Sequence, residues 1–267
     1  MGTNFWIGGA EIVRPSNENF QLHIHDDYEI YLFLEGDTKY IVEENVYTLE
    51  AGDMMIIRKN HLHRAYHNSP AKYRRIVLNI RPEFFPENGC MEYEKEFINP
   101  PENASDKIDA KTVHSSGIYD AFMRIKKYSD DFKNTDLPIV RAIVVELLYL
   151  INNINSYSEA DEANSQLREI MRYINMNFTN DISLDELEKK FFISKYHLCH
   201  IFPKATGLTV HQYIVSKRFA YAGELIKSGK NLTEAASLAG FNNYSSFYRA
   251  YIKEYGTPPR KKKKHSL

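Results

Sequence analysis

The chain has 267 residues, 43% of them apolar, and a formal net charge of −1, so it is long enough for two domains with cores of their own. That near-neutral sum hides an acidic half, 17 basic against 27 acidic residues from Met1 to Asn164, and a basic half, 17 against 8 from Ser165 to Leu267; only the second half suits a polyanion. The opening residues lack a basic start and a long apolar run, Arg141 and Glu146 interrupt the most apolar stretch, and Cys90 and Cys199 have no paired spacing. These features argue against secretion, a membrane span and a disulfide framework, and for the cytoplasm.

In chain order, the first hundred residues predict short strands. They fall at Ile30 to Leu34, around Tyr40 and Val42, at Val46 to Leu49, at Gly52 to Arg58 and at Arg74 to Ile80. Turn residues separate them, as in a sandwich or barrel. RPEFFPENG, from Arg81, breaks the pattern with two prolines and a glycine. The period then becomes helical, with Ile118, Phe122 and Ile125 on one stripe of a helix from Ser115 to Tyr128 and a second helix over Leu137 to Ile154. The polar, acidic NSYSEADEANSQ reads as a linker. Beyond it helices follow closely. Ser183 and Glu186 have capping-box spacing.

Two local patterns carry chemistry. HIHDDYEIYLFLEG, His23 to Gly36, places His23, His25, Glu29 and Tyr31 at odd positions. An unbroken strand turns all four to one side, with Ile24, Ile30 and Leu32 on the other. Two imidazoles and a carboxylate on one face are donors that suit a divalent metal. Asp26-Asp27 is where a bulge would break this parity.

The second pattern is a repeat. LCHIFPKATG and FYRAYIKEYG align at an offset of 49 residues, each preceded by a short helix and a tight turn, KFFIS in one and AGFNN in the other. This predicts two helix-turn-helix units joined by a long helix from Val210 to Ser228. Ser194 suits the N-cap of the first recognition helix, and Gly240 suits a turn with positive φ. Leu198, Ile201 and Phe202 form an inward stripe in the first unit, Phe247 and Tyr251 in the second.

On these residues, with Arg218, Ala222, Leu225, Ala236, Phe241, Gly256 and Pro259, the stretch Ser165 to Lys263 closely resembles the AraC/XylS family of bacterial transcription regulators. The resemblance implies an α+β protein of two domains. A cupin-like barrel (a double-stranded β-helix) lies at 1–105, a helical dimerisation segment at 106–157, a linker at 158–165 and the DNA-binding domain at 166–267. It places Tyr196, Cys199 and His200 in one major groove and Asn243, Tyr244, Ser245, Tyr248 and Arg249 in the next. Lys195, Lys204 and the basic run from Arg260 are expected on phosphates. Three departures stand out: Pro203 where the family has Lys or Arg, Glu188 where it prefers a small residue, and the ending PPRKKKK.

The N-terminal half is similar to the cupin barrels of such regulators. HxH-x3-E-x6-G fits the first cupin motif; in the second, Gly52 precedes His63 by eleven residues, and Arg58 and Asn60 replace its proline and glycine. In cupin enzymes His23, His25, Glu29 and His63 would hold a divalent metal. In the regulators the same strand commonly binds none, so the expectation is a metal-free effector pocket of His23, His25, Glu29, Tyr31 and His63, with no cofactor. His61 and His67 are expected to be loop residues.

The function implied is sequence-specific regulation of transcription, as an activator. The partners implied are double-stranded DNA, RNA polymerase, a second copy of the chain and a small polar effector such as a carbohydrate. The alternatives are a metal-dependent cupin enzyme with a helical appendage, or a regulator of this family that needs no ligand.

Overall fold

The computed structural model describes residues 4–20, 22–98, 105–132, 138–154 and 165–255. The chain forms two compact units, Met1–Glu162 and Ala163–Leu267. The end of the chain from Gly256, including Pro259 and the basic run, and most of the expected linker lie outside the described residues.

Among the described residues the first unit holds eight strands: β1 Phe5–Ile12, β2 Tyr28–Glu35, β3 Thr38–Val42, β4 Asn45–Thr48, β5 Met54–Ile57, β6 His63–His67, β7 Tyr73–Ile80 and β8 Lys107–Ile108. They make a five-stranded antiparallel sheet, β1-β7-β2-β5-β8, and a three-stranded one, β4-β3-β6. Alternation along β2 shows how the sheets and helices share it. Tyr28, Ile30 and Leu32 join the cluster that contains Phe122 and Val144. Tyr31 and Phe33 join Tyr40, Val42 and Tyr47 of the other sheet. With both faces covered, the strand reads as a nearly continuous apolar run.

The helices of this unit are α1 Phe84–Glu87, α2 Lys95–Ile98, α3 Ala110–Ser115, α4 Ile118–Phe132 and α5 Pro138–Asn152. The helix expected over Ser115 to Tyr128 is α4, which starts at Ile118; Ser115 ends the separate short α3, and Gly117 takes φ +81° between the two. The apolar stripes of α4 and α5 do not face outward. Ile118, Phe122, Ile125, Val140, Val144 and Leu147 are buried in their own unit's core, which leaves Ile139 and Tyr149 as the exposed large apolar residues of α5.

The second unit comprises α6 Ser165–Asn177, α7 Leu184–Phe191, α8 Lys195–Thr206, α9 Val210–Lys227, α10 Leu232–Leu238 and α11 Tyr244–Tyr255. Polar side chains start these helices as caps. Ser183, Ser194 and Asn231 each accept from a backbone N–H three residues on, which satisfies a donor that has no partner inside the helix. The expected capping box at Ser183 is half made, because the Glu186 carboxylate takes the Tyr173 hydroxyl instead. A complete box occurs at Thr209 and Gln212.

Leu187, Leu198 and Phe202 are buried in the first helix-turn-helix, α7-α8, while Ile201 is half-buried. Phe219, Phe241 and Phe247 pack together around the second, α10-α11. Arg218 of α9 donates from Nε to the Phe178 carbonyl (2.7 Å) and from Nη2 to that of Asn180 (2.8 Å), tying the α6-α7 turn to α9. Glu188 does not disturb packing as its bulk suggested. Its carboxylate accepts from the Lys195 backbone N–H at 3.1 Å, placing a negative charge at the N-terminus of α8, where it is favoured. Pro203 sits inside α8 without ending it.

Candidate functional site

The two helix-turn-helix units set out the candidate nucleic-acid surface. On α8, Tyr196 is 80% exposed, and Cys199, His200 and Lys204 are exposed beside it. The Lys195 ammonium is 3.1 Å from the Asp185 carboxylate, so a phosphate would have to compete with that ion pair. On α11, Ser245 and Arg249 are exposed. Tyr244 and Tyr248 are half-buried, and Tyr244 packs against the Phe219-Phe247 cluster. Asn243 is exposed but also caps α11, accepting from the Ser246 N–H at 2.8 Å. Outward faces therefore exist on both recognition helices, the first more open than the second.

The second candidate site lies in the barrel. The strand expected to carry the histidines is broken: residues 26 and 27 form a bend and β2 begins at Tyr28. His23 pairs instead with His63 of the other sheet, each backbone N–H donating to the other's carbonyl at 3.1 and 3.0 Å. The chain thus crosses between sheets over His25 to Tyr28. The four side chains converge by this crossing rather than by parity along one strand. Ring centroids of His23 and His25 lie 4.3 and 4.8 Å from that of His63. Glu29 Oε2 is 3.1 Å from His25 Nε2 and 3.8 Å from His63 Nε2.

A cavity of about 210 Å³ opens beside this cluster, lined by His23, His25, Glu29 and Tyr31 together with Trp6, Phe20, Tyr40, Tyr73, Arg75 and Asn79. Parity holds within β2: Glu29 and Tyr31 line the cavity. They pair across to Asn79 and Val77 of β7, which bring Arg75 to the same face. The sequence reading missed these β7 residues and Trp6. Their odd numbering opposite Glu29 was the available signal, but it needed the pairing partner of β2 to be known.

Electrostatics divide the cluster. Burial drives His63 down to about 3, helped by the charge of His23, so its imidazole is neutral near pH 7. Burial also opposes charge on His25, but the Glu29 contact outweighs it and lifts His25 above its ordinary value. Burial opposes charge on Glu29 as well. Its hydrogen bond with His25 overcomes this and holds the carboxyl below the usual range. Tyr40 donates to the other oxygen, Oε1, at 3.1 Å, and the Tyr31 and Tyr73 hydroxyls bond each other at 2.8 Å.

His67 is not a loop residue. It lies in β6, buried, with its ring against Phe20 and Tyr73 and its Nδ1 3.0 Å from the Thr38 hydroxyl. His61 does lie outside the helices and strands.

Comparison with known proteins covers both units. Residues 10–126 match an AraC-like ligand binding domain and residues 187–265 a helix-turn-helix domain. An uncharacterized HTH-type transcriptional regulator of Escherichia coli, YdiP, is 22% identical over 89% of this chain and 78% of its own length. The HTH-type transcriptional activator RhaS of Klebsiella pneumoniae is 21% identical over 97% of this chain and 94% of its own. Among solved structures, ToxT from Vibrio cholerae aligns over 96% of this chain and 95% of its own at 14% identity, with a TM-score of 0.40. No helix among the described residues is long and apolar enough to cross a membrane.

Proposed function

This chain belongs to the AraC family of transcriptional regulators, and we propose that it is a cytoplasmic, sequence-specific activator whose DNA binding answers to a small polar effector in the barrel. The observation that carries this reading is the pair of helix-turn-helix units, each with polar side chains on an exposed recognition-helix face, within the basic half of the sequence. Tyr196, Cys199 and His200 read one major groove, with Lys204 and Lys195 on phosphates. Asn243, Ser245 and Arg249 read the next, with Tyr244 and Tyr248 at its edge. RhaS relatives are named as activators, which supports positive control through RNA polymerase.

The effector side of the reading rests on the cavity. Aromatic rings and polar groups around about 210 Å³ suit a monosaccharide-sized ligand. Pairing of two copies would use the exposed side of α5 around Ile139 and Tyr149, since the buried stripes are already occupied.

The test has two arms on the full-length protein. Selection from a random duplex pool should enrich one motif with two elements about one helical turn apart, and binding should weaken steeply with salt. A pool that stays random overturns the DNA reading. The sole tryptophan, Trp6, lines the cavity, so its fluorescence reports occupancy. A panel of pentoses and hexoses should contain one sugar that shifts Trp6 emission and changes affinity for the selected duplex. A sugar that shifts emission without changing DNA affinity overturns the coupling.

A further inference from the structure

Resting on the reading of the barrel cavity as the effector site, we propose that the effector is a sugar acid, a monosaccharide whose carboxylate docks on Arg75 and whose hydroxyls are read by Asn79. Two adjacent arginines of β7 make the case by contrast. Side chains alternate across a strand, so Arg74 and Arg75 face opposite sides. Arg74 is exposed and lies 3.5 Å from the Glu11 carboxylate and 3.6 Å from that of Glu35. Arg75 is half-buried in the cavity wall, and no carboxylate among the described residues pairs with it. Its surroundings are aromatic instead. The guanidinium lies over the Tyr31 ring, 6.0 Å from the centroid, with the Tyr73 hydroxyl beside it. A part-enclosed cation without a counter-ion is costly, and the planar fork of a guanidinium matches the two oxygens of a carboxylate.

The same face of β7 carries an unused amide. Asn79 is 5% exposed and lines the cavity, and its side chain has no hydrogen-bond partner among the described residues. A buried amide with two donors and an acceptor is costly to leave unpaired. Sugar hydroxyls, each both donor and acceptor, satisfy it. Four residues along a strand separate the Cα atoms of Arg75 and Asn79 by roughly 13 Å. The two side chains shorten that span from both ends, over Val77, to the length of one sugar ring. Trp6 supplies a wall to this space. It pairs with Asn79 and Gly8 pairs with Val77, and the indole lies back over Gly8, where a Cβ would sit 2.8 Å from the ring. Such a flat apolar wall packs against the C–H face of a pyranose.

Charge selects a carboxylate over a phosphate. Glu29 is the acid that lines the cavity, and both its oxygens are engaged, Oε2 with His25 and Oε1 with the Tyr40 hydroxyl. It therefore leaves Arg75 unmatched and repels surplus negative charge. A carboxylate brings one charge, which Arg75 balances. A phosphate brings about −1.5 to −2 at pH 7, and the excess faces Glu29. A neutral sugar fills the same space but leaves the guanidinium without a counter-ion.

The experiment follows Trp6 emission of the full-length chain. The probes are glucuronate, galacturonate and mannuronate, each beside its neutral parent hexose and the 6-phosphate of that hexose. At least one uronate should bind at least about tenfold more tightly than its parent, and more tightly than the phosphate. Arg75→Gln should bring that uronate and its parent to within about twofold of each other. Arg74→Gln, on the opposite face, should keep the wild-type ratio, and Asn79→Ala should weaken uronate and parent together. Equal affinities for every uronate and its parent in the wild type, a measurement that needs no variant to fold, overturn the proposal. So does a preference that survives Arg75→Gln, or a phosphate that binds more tightly than every uronate. If a neutral sugar shifts Trp6 emission and no uronate betters it, the sugar acid falls and the effector pocket stands. If no sugar of either kind shifts it, the pocket reading falls as well.

Discussion

Gly240 should tolerate a side chain far less well than Gly229, its matched control in the DNA-binding unit. Both glycines have positive φ, +89° and +100°, so alanine costs about 1–2 kcal/mol of left-handed strain at either. Part of that is offset by about 0.4–1 kcal/mol from a less flexible unfolded chain. At Gly229 a methyl group meets nothing within 4 Å. At Gly240 it would lie 2.8 Å from both the carbonyl carbon and the Cα of Thr179, and closer still to the carbonyl oxygen. All three atoms are backbone, so none can rotate away. Thr179 is also held on both sides, because Arg218 bonds the Phe178 and Asn180 carbonyls. Forcing the turn apart adds a further cost of about 1–3 kcal/mol. Gly240→Ala should therefore lose about 5- to 150-fold more folding equilibrium than Gly229→Ala. Urea titration of the full-length chain, read by hydrogen exchange in peptides from α6 to α11, isolates this unit. Equal losses in the two variants would show that Thr179 yields, and would refute the close-packed turn.

Arg249→Ala should cost roughly 1–3 kcal/mol on the selected duplex and relax preference at one base pair, whereas Lys204→Ala should weaken all sequences alike and lower the salt slope by about one; competition binding against point-mutated duplexes distinguishes them. His67 carries the pH prediction. Burial, with the charge of Arg64, lowers it to about 4, so the folded state holds it neutral while the unfolded chain takes up a proton near pH 6.5. Its contribution is complete above about pH 6.5 and is lost as pH falls towards 4. The urea midpoint of wild type should accordingly fall more than that of His67→Gln between pH 7 and 4.5, and parallel falls would remove His67 as the cause.

Sequence reading found the strands whose residues are apolar on both faces and missed those whose role is pairing. β1, FWIGGAEI, contains two glycines and pairs along its whole length with β7. β6, HRAYH, is polar in sequence and buried in fact. Neither carries a periodicity that a single chain reveals; each becomes a strand because a partner strand satisfies its backbone. The metal-capable cluster was legible as a set of residues but for an incomplete reason. Parity predicted one continuous strand, whereas residues 26 and 27 bend and the chain changes sheets. Tyr40, from the next strand, and Tyr73, from β7, complete the site. The stripes of α4 and α5 are covered by their own unit's core, which the sequence could not tell: an apolar stripe states that something covers it, not what.

The two helix-turn-helix copies show why the repeat is visible in sequence while its turns differ in chemistry. Each must reverse the chain between two helices, and each does so with a residue at positive φ, Phe192 at +52° and Gly240 at +89°. The second copy uses the residue that adopts this conformation without penalty, and then needs the absence of a side chain because Thr179 lies against it. The first copy places a phenylalanine there, 94% exposed, at a strain of about 1–2 kcal/mol. Beside the buried Ile193, polar bonds hold that turn. The Phe191 carbonyl accepts from Gln166 Nε2 at 2.8 Å, Ser194 caps the next helix, and Glu188 takes the Lys195 N–H. Each capping bond is worth about 1 kcal/mol, so together they outweigh the strain. The residue that departs most from the family pattern in α7, Glu188, is thus part of what allows a bulky residue in the turn. Both recognition helices are packed through buried side chains and capped at their N-termini; the turns differ, the first adding bonds from Gln166 and Glu188 and the second a close approach of backbone to backbone at Gly240.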